Sequence, residues 1–546
     1  MLTKYLSYFP KGYNPSPNQI KLIKQVEKAF SSGKKFVICC APTGTGKSFL
    51  SRTIAGAGSK PSAEFTRAIN TYSGFKQNYE GDFISAEELR KEPPHGTFVL
   101  TITKSLQDQY LGLFPETDVL KGKTNYVCNI DNNFDVETAP CVFIDGLKDT
   151  CCAAAKCSYY NARNKALLSE FSALNYKMFL ALPNHLKRKN FMICDEASEL
   201  EDELVKHFSA EINYEKLQRA GIECNVLVTD NKQRAYTWVA ELGCKVNASI
   251  EELKEKFRKA AKRKGRVTPA DRTRYLYLKN IFNALVKITE LWTSCDYIIE
   301  NSSKQVTFTP LRVDGLTGYI FDYADHVLLM SATIIDHAHF ARTLGITDYE
   351  YIEVESDFDP KKSPIYVSSK NRLNYKNLAN ILPAIAEQIK QIIAHHETEK
   401  GIVHTHSQEI TNILKRKLEN NKRFLFRDEF AKNDEILKKH YESDFPTILV
   451  SPSLAYGIDL KDDLARFQII VKLPFSPLSN KRVKQVFEQD KAWYENKMLN
   501  TLVQACGRAT RSRNDFSSTY ILDGNIVNTL KRVKDKLPKY FIDRVC

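Results

Sequence analysis

Residues 41–48 read APTGTGKS, between the apolar run KKFVICC at 34–40 and the proline-free segment FLSRTIAGAG that starts at residue 49. The apolar run predicts a buried strand, and the segment after the loop can form a helix. A strand, a glycine-rich turn, Lys-Ser and a helix in this order are typical of a phosphate-binding loop. The glycines let backbone N–H groups point at an anion, and the helix N-terminus adds its dipole. The stretch therefore predicts a nucleoside triphosphate site.

Within this loop, two side chains have defined roles in binding a triphosphate. Lys47 is expected to reach the β- and γ-phosphates, and the Ser48 hydroxyl is expected to hold Mg²⁺. The strict form of the loop has glycine where this chain has Ala41. The loop residues expected to contact the nucleotide are Thr43, Gly44, Thr45, Gly46, Lys47 and Ser48.

Length and composition describe a large globular protein. At 546 residues the chain exceeds a single hydrophobic core, so three or four domains are expected. It is 43% hydrophobic and 26% charged, and its net charge of +14 is compatible with a polyanionic partner. The N-terminus lacks a long apolar region, and no run of about 18 apolar residues follows. We therefore expect neither a signal peptide nor a membrane span. The expected location is a reducing cytoplasm.

Five of the 13 cysteines fall between residues 128 and 157. A disulfide framework is not expected in a reducing compartment. Four thiolates from one loop-rich segment can bind an iron–sulfur cluster or zinc. Zinc sites usually pair cysteines at short spacings, whereas the wide gaps here favour a cluster, with zinc and unliganded thiols as alternatives. The expected ligands are Cys128, Cys141, Cys151 and Cys157, with Cys152 as the alternative to Cys151.

A second apolar run, NFMIC at 190–194, leads into an acidic pair. Asp195 at the end of this predicted strand would hold Mg²⁺ through water, and Glu196 would orient or deprotonate the attacking water. An acidic loop tip is the alternative interpretation. Ser198 follows three residues after Asp195.

Hydroxyl and amide side chains follow two further predicted strands. Thr101, Thr103 and Gln107 suit contacts to a sugar–phosphate backbone, although a strand edge and a helix cap would have the same pattern. HVLLMSAT at 326–333 ends in a hydroxyl-bearing turn that can relay the nucleotide state to a bound strand. The charged stretch 251–266 is either a solvated helix face or a basic lining for nucleic acid. The basic residues that would form such a lining are Lys259, Lys262, Arg263, Lys264 and Arg266.

After the Pro/Lys-rich break at 356–364, strand and helix patterns alternate again, which predicts a second parallel α/β domain. SLAYGIDLKDD at 453–463 places Gly457 and Asp459 just after a strand. QACGRATR at 504–511 places Gln504, Arg508 and Arg511 about one helical turn apart. Two arginines there can reach a γ-phosphate across an interdomain cleft, as arginine fingers do. Surface arginines are the alternative.

The ordered set of motifs resembles the XPD-like/DinG-like iron–sulfur DNA helicases of superfamily 2 over nearly the whole chain. The set is the phosphate loop in its AxTGxGKS form, TxTxxLQxQ, the cysteines, DEAx, SAT, GxD and QxxGRxxR. LKGKTNYVC at 120–128 resembles the run into the family's first cluster ligand, and CSYYNA at 157–162 resembles its fourth. Ser198 departs from the common DEAH form, which puts the coupling role of that position in doubt.

The resemblance implies an α/β fold of two RecA-like parallel-sheet motor domains, with a cluster domain and a helical arch domain inserted in the first. The implied boundaries are 1–115, 161–205 and 323–362 for the first motor domain, 116–160 for the cluster domain, 206–322 for the arch and 363–546 for the second motor domain. Gln19 matches a glutamine that contacts adenine, and an exposed residue at a helix start is the alternative. Gly457 and Asp459 match further nucleotide-site positions, and Gln504, Arg508 and Arg511 match the sensor and finger positions.

The function implied is ATP-dependent 5′→3′ translocation on single-stranded DNA with duplex unwinding, supported by ATP, Mg²⁺ and a 4Fe–4S cluster. Forked or tailed duplex DNA is the expected partner of a monomeric motor in the cytoplasm of a bacterial cell, with a phage origin left open. The same motifs also fit a translocase that strips proteins or remodels R-loops, and an RNA-directed helicase. A nucleic-acid-binding scaffold with a decayed ATPase is a further alternative.

Overall fold

Three β-sheets organise the part of the chain that the computed structural model describes. Description covers residues 4–42, 44–71, 89, 91–142, 157–227, 231–262, 267–356, 358–374, 376–426, 433–452, 462–507 and 515–546. The strands are β1 (Phe36–Cys40), β2 (Thr97–Thr101), β3 (Asp118–Leu120), β4 (Phe171–Asn175), β5 (Lys189–Asp195), β6 (Ala210–Asn213), β7 (Tyr297–Asn301), β8 (Gln305–Pro310), β9 (Ala324–Ser331), β10 (Tyr349–Glu353), β11 (Ile365–Val367), β12 (Gly401–His404), β13 (Phe424–Phe426), β14 (Ile448–Ser451), β15 (Phe467–Ile470) and β16 (Ser518–Ile521).

Helices cover both faces of the parallel sheets. Those described are α1 (Pro17–Ser31), α2 (Lys47–Ala55), α3 (Ala63–Thr71), α4 (Lys104–Leu113), α5 (Ser158–Leu168), α6 (Tyr176–Ala181), α7 (Leu200–Phe208), α8 (Tyr214–Arg219), α9 (Lys232–Lys262), α10 (Pro269–Leu291), α11 (Gly318–Phe321), α12 (His337–Thr343), α13 (Leu378–His395), α14 (Gln408–Leu418), α15 (Asn433–Glu442), α16 (Lys481–Gln489), α17 (Lys491–Cys506), α18 (Asn525–Val533) and α19 (Lys539–Ile542). No described helix has both the length and the apolar character that crossing a bilayer requires.

The first sheet is parallel, with the described strands in the order β10-β1-β9-β5-β2-β4-β3. Strand β1 is buried on both faces: Ile38 and Cys40 pack into one core, and Val37 and Cys39 pack into the other. This double burial explains why its sequence is apolar without alternation. Cys39 and Cys40 are core residues, as expected from their place in the run.

The second sheet is also parallel and has the order β11-β16-β15-β12-β14-β13 among described strands. This sheet contains the strands that were predicted for the C-terminal part of the chain. The predicted α/β fold with two parallel sheets is therefore confirmed. Because ligands of open parallel sheets bind beyond the carboxyl ends of the strands, the ends of β1, β5 and β9 are where a nucleotide site is expected.

Residues 206–322 contain more than the helices that their sequence predicts. The long helices α9 and α10 pack against each other and against an antiparallel sheet of order β6-β8-β7. In β8, buried residues alternate with half-buried ones, which is typical of a strand with one face on a core. The core of this part is continuous with one core of the first sheet.

Candidate nucleotide site between the two parallel sheets

The phosphate-binding loop adopts the conformation that its glycines permit. Gly44 and Gly46 both have a φ of +85°, in the left-handed region that residues with a side chain rarely adopt. The loop is also closely covered: a Cβ at Gly44 would lie 2.5 Å from the ring of Phe358, and one at Gly46 would lie 2.0 Å from Nε2 of Gln19. Glycine is thus required at both positions for conformation and for space.

Gln19 lies directly against this loop. Its N–H and side-chain oxygen form a capping box with Ser16 at the start of α1, where Gln19 Oε1 accepts from Ser16 N at 2.9 Å. Its Nε2 donates to the carbonyl of Thr45 at 3.3 Å. The cap fixes the rotamer of Gln19, and the side chain therefore has a defined position beside the loop.

Lys47 is the first residue of α2, and its ammonium turns back into the loop to donate to the carbonyl of Ala41 at 3.1 Å. Thr45 closes the same turn, because its hydroxyl donates to the carbonyl of Pro42 at 2.8 Å. These bonds arrange the loop around the N-terminus of α2, the position at which anions bind favourably.

Asp195 ends strand β5 in a buried environment with three hydrogen bonds. Its Oδ2 accepts from the Tyr110 hydroxyl at 3.1 Å, its Oδ1 accepts from the backbone N–H of Glu196 at 3.1 Å, and its carbonyl accepts from the Tyr176 hydroxyl at 3.1 Å. Burial, followed by the Glu196 carboxylate, raises the pKa of Asp195 to about 6, while Lys47 and Tyr110 lower it. Asp195 and Lys47 therefore act on each other in one site.

Tyr110 connects this carboxylate to the helix of the phosphate loop. Its hydroxyl lies 3.2 Å from that of Ser51 on α2 and also hydrogen-bonds Ser48. Burial raises the pKa of Tyr110 well above its usual range, so the phenol remains a donor. Neither Tyr110 nor Tyr176 was predicted from the sequence, because nothing in the local pattern marks a tyrosine whose partner lies 19 or 85 residues away.

A chain of hydrogen bonds runs from the acidic pair to the second half of the protein. The Ser331 hydroxyl at the end of β9 donates to Glu196 Oε2 at 3.4 Å and lies 2.9 Å from the Ser198 hydroxyl. Gln504 at the end of α17 donates to Ser198 Oγ at 2.9 Å. Glu196 has a φ of +51°, a strained conformation that is frequent at functional sites. We call Glu196, Ser331, Ser198 and Gln504 the relay.

Three side chains for which contacts to nucleic acid were one alternative have structural partners in the fold. Gln107 is fully buried, and its Nε2 donates to the carbonyls of Leu120 and Ala173. Thr101 is also buried in the sheet, and Thr103 accepts from Leu106 N as the cap of α4. The helix-cap interpretation is therefore correct for Thr103, whereas Thr101 ends the interior strand β2, which pairs with both β4 and β5.

Several predicted site residues lie outside the described part of the chain. These are Thr43, Cys151, Cys152, Gly457, Asp459, Arg508 and Arg511, and the basic residues Arg263, Lys264 and Arg266. Of the charged stretch before them, Lys259 is described and lies 3.8 Å from Glu255 on the same helix.

The outer cysteines of the expected cluster lie on segments that the fold brings together. Cys128 and Cys157 are both buried, and the hydroxyl of Ser158 donates to the carbonyl of Val127 at 2.8 Å. Cys141 lies half-buried in a short helical turn, Pro140–Val142. Among the described residues, no group of three or more candidate ligands is close enough to hold a metal ion. Cys128, Cys141 and Cys157 are the described members of the expected donor set, and Cys151 and Cys152 fall in the segment without description.

Comparison with known proteins identifies a C-terminal segment of the chain and the overall fold. Residues 390–543 match the helicase C-terminal domain. A segment of 115 residues is 29% identical to the ATP-dependent DNA helicase CHL1 of Candida albicans and covers 18% of this chain. That alignment spans only 13% of the CHL1 protein.

Solved structures of XPD proteins have the same fold. A structure described as XPD helicase aligns over 95% of this chain and 98% of its own, with a TM-score of 0.61 and 18% identity. An apo XPD structure and S. tokodaii Xpd4 each align over 94% of this chain with TM-scores of 0.52. The chain therefore has the fold of these XPD structures, and its residues 390–543 match a helicase C-terminal domain.

Proposed function

We propose that this protein is an ATP-dependent DNA helicase that moves 5′→3′ on single-stranded DNA and unwinds duplex. The observation that carries the proposal is the relay, in which Gln504 of the second parallel domain reaches Ser198, beside the acidic pair of the first. A site completed by two domains can change the separation of those domains when its nucleotide changes, which is the requirement for a motor.

The proposed hydrolysis uses residues that the fold places around the loop. Lys47 would bind the β- and γ-phosphates, and Glu196 would orient the attacking water or accept its proton. Ser48 and Asp195, which share the partner Tyr110, would hold Mg²⁺, and that ion would neutralise charge on the phosphates. Gln19, fixed beside Thr45, is proposed to contact the adenine.

The second domain is proposed to supply the remaining groups. Gln504 is proposed as a sensor, and Arg508 and Arg511 as arginine fingers, which are worth about 10³–10⁵ in rate in other phosphoryl-transfer enzymes. Gly457 and Asp459 are proposed to line the same cleft. Support for these roles comes from the motif that follows Gln504 in sequence and from the position of Gln504 itself.

DNA, rather than RNA, is proposed as the track because of the cysteine segment and the similarity to XPD structures. Differential affinity for the single strand in the two nucleotide states would convert hydrolysis into steps. Cys128, Cys141, Cys157 and one of Cys151 and Cys152 would hold a 4Fe–4S cluster that supports strand separation structurally. The support is the adjacency of the outer cysteine segments.

The experiment that tests the proposal compares unwinding of duplexes with a 5′ tail and with a 3′ tail, using anaerobically purified protein. ATP-dependent opening from the 5′ tail alone is the expected result. Lys47→Ala is the negative control, and it should abolish both hydrolysis and opening because the phosphates lose their cationic contact.

Other results of the same experiment would contradict parts of the proposal. Opening from the 3′ tail would reverse the assigned direction. A DNA-stimulated ATPase without opening from either tail would identify a translocase. Stronger stimulation by RNA than by DNA would identify an RNA-directed motor, and near-normal hydrolysis by Lys47→Ala would refute the nucleotide site.

A further inference from the structure

Helix α7, which follows the acidic pair and Ser198, is joined by ion pairs to two helices of the second parallel domain. Glu201 of α7 pairs with Arg482 of α16 at 2.5 Å, and Asp202 of α7 pairs with Lys497 of α17 at 2.5 Å. Helix α17 also carries Gln504, which donates to Ser198 just before α7. The start of α7 and the residues just before it are therefore bonded to both α16 and α17.

The pair of Glu201 and Arg482 is enclosed and fully hydrogen-bonded. Their side chains are only 14% and 7% exposed. The second oxygen of Glu201 accepts from the indole N–H of Trp493 at 2.8 Å, and the guanidinium of Arg482 lies 5.5 Å from the centre of that ring. Removing one partner of such a pair leaves a buried charge without compensation and is strongly destabilising to the contact.

Asp202 and Lys497 extend the same contact. Although burial acts against it, the Lys497 ammonium holds the pKa of Asp202 below its usual value. Lys497 also lies 5.3 Å from the centre of the Trp493 ring. Both ion pairs thus converge on Trp493 of α17, which contacts α7 through Glu201.

Arg482 also binds the antiparallel sheet of residues 206–322. Its Nε donates to the carbonyl of Pro310 at the end of β8 at 2.9 Å. Next to this bond, Ile298 and Leu311 pack with Val486 and Trp493 in a small apolar cluster. One arginine is therefore bonded to the inserted sheet on one side and to the helix that follows the acidic pair on the other.

We propose that the segment 480–503 is a coupling clamp, in which Arg482 and Glu201 transmit the position of the inserted antiparallel sheet to the nucleotide site. The inference rests on the proposed motor function and names the contacts through which the inserted sheet and the nucleotide site would be coupled. Displacement of the inserted sheet when a strand is engaged moves Arg482 and, through Glu201 and α17, changes the contact of Gln504 with Ser198. Arg482 and Glu201 are positioning residues in this scheme, since neither lies at the phosphate loop.

The test is a double-mutant cycle of Glu201→Gln and Arg482→Gln in the full chain, with ATPase turnover measured with and without single-stranded DNA. Each single variant should lower the stimulation of kcat by DNA about tenfold, whereas the dissociation constant of a fluorescent ATP analogue should stay within about twofold of the wild-type value. The double variant should lose no more than the worse single variant, because the two residues act as one unit.

Glu488→Gln is the matched control. Glu488 lies on the same helix as Arg482, in an exposed pair with Lys484 at 4.0 Å, so its neutralisation should leave stimulation unchanged. Trp493→Phe keeps the ring and removes one hydrogen bond to Glu201, and should give a smaller loss in the same direction. Trp493→Phe is also the variant to measure if Glu201→Gln or Arg482→Gln does not fold.

Wild-type stimulation in Arg482→Gln or Trp493→Phe would overturn the clamp, as would losses that multiply in the double variant. A loss of nucleotide affinity equal to the loss of kcat would show a merely structural contact and would also overturn it. Failure of the proposed motor function is recognised separately, because the wild-type protein would then show no hydrolysis beyond that of Lys47→Ala.

Discussion

Gly46 meets two independent demands, and each alone excludes a larger residue. Its φ of +85° is costly for any residue with a Cβ, and a Cβ there would lie 2.0 Å from Nε2 of Gln19. The amide that would have to move is also fixed by Ser16 and Thr45. A substitution at Gly46 therefore disturbs the loop and the proposed adenine contact together.

We expect Gly46→Ala to raise the dissociation constant for ATP at least about tenfold, since strain in the left-handed region costs on the order of 1–3 kcal/mol. The measurement is titration with a fluorescent nucleotide. Gly112→Ala is the control: Gly112 lies in α4 with open space where a Cβ would be, and alanine should increase helix stability by about 1 kcal/mol. Unchanged nucleotide affinity in Gly46→Ala would show that the loop does not form the site.

Ser198 forms the middle link of the relay with a single hydroxyl. It lies 2.9 Å from both Gln504 Nε2 and the Ser331 hydroxyl, so one group contacts both domains. The sequence raised doubt about coupling at this position because serine replaces the usual histidine there. In the structure the position does connect the domains, by a group that carries no charge.

We expect Ser198→Ala to lower kcat for ATP about tenfold with little change in nucleotide affinity, because it removes the bond from Gln504 that joins the domains and the bond to Ser331, but none at the phosphate loop. Steady-state kinetics with a separate binding measurement would separate the two effects. Ser209→Ala, which loses one local bond to the carbonyl of Val205, should behave as wild type. Equal kinetics for Ser198→Ala and wild type would mean that the relay carries no coupling.

A site residue could be predicted from the sequence where the local backbone fixes the direction of its side chain. Lys47 and Asp195 were predictable because a strand end and a glycine loop fix their direction. Tyr110 and Ser51 were not, since the contact of Ser51 with Tyr110 and that of Tyr110 with Asp195 join residues far apart in the sequence. Gln107 fits two roles equally well in sequence, and only its two buried carbonyl partners decide between them.

Strand β5 carries an unusual charge at the end opposite the nucleotide site. Lys189, its first residue, is 1% exposed and donates to the carbonyl of Leu167 at 2.7 Å. Burial lowers its pKa to about 7, and the same ammonium contributes, after burial, to lowering the pKa of His95 to about 4. Lys189 is therefore neutral in the folded protein above pH 7 but charged in the unfolded chain until about pH 10.

The sign of the resulting pH dependence follows from proton counting. Between these two pKa values the unfolded state binds one more proton, so this lysine makes the free energy of unfolding rise with pH. We expect the wild-type protein to gain about 2 kcal/mol relative to Lys189→Met between pH 7 and 8.5. His95 is neutral throughout that window and adds nothing to the difference.

Denaturant unfolding of both proteins at the two pH values measures this difference. Lys165→Met, which removes an exposed lysine from the neighbouring helix α5, should retain the wild-type pH dependence. If the free energy of unfolding changes equally with pH in wild type and in Lys189→Met, Lys189 is solvated and charged in the folded protein.

Elements were predictable where burial imposed a continuous apolar run, as in β1, β5 and β9. Elements at the edge of a sheet were harder to predict from the sequence. Strand β10 at the edge of the first sheet contains YEYIE, whose glutamates and tyrosines give no such run. Helix α3 lies between α2 and β2, and its Phe65 and Ile69 pack into the core. The antiparallel sheet β6-β8-β7 was not predicted, because the helical pattern of α9 and α10 dominates the sequence of this part of the chain.

At the scale of the whole molecule, contacts between distant parts of the chain concentrate around the proposed nucleotide site. Tyr540 near the C-terminus donates to the carbonyl of Ala332 at 2.9 Å, and His339 of α12 lies 2.7 Å from Asp490. Neither partner can be deduced from sequence, because each pair is brought together by the docking of the two parallel domains. The interdomain contacts are accordingly where structure adds most to the motifs.

The cysteine segment is the other part of the molecule whose organisation depends on distant residues. Cys128 and Cys157 are 29 residues apart, and the bond from Ser158 to Val127 holds their segments together at one end. A bound cluster would cross-link the cysteines between these two positions, and its loss would remove that cross-link without disturbing either parallel sheet. Strand separation should then depend on the metal, whereas hydrolysis should not.

We therefore expect Cys157→Ser to lose iron and unwinding while keeping its melting transition and its ATP hydrolysis, since α5 begins at residue 158 and packs on the sheet through other residues. Iron and zinc contents, visible absorption and tailed-duplex unwinding would be measured on anaerobically purified protein. Cys244→Ser, at an exposed position of α9, is the matched control and should retain iron and activity. Zinc in place of iron would identify the alternative metal site. Full unwinding by an iron-free Cys157→Ser protein would remove the cluster from the mechanism, because the motor domains would then separate strands without it.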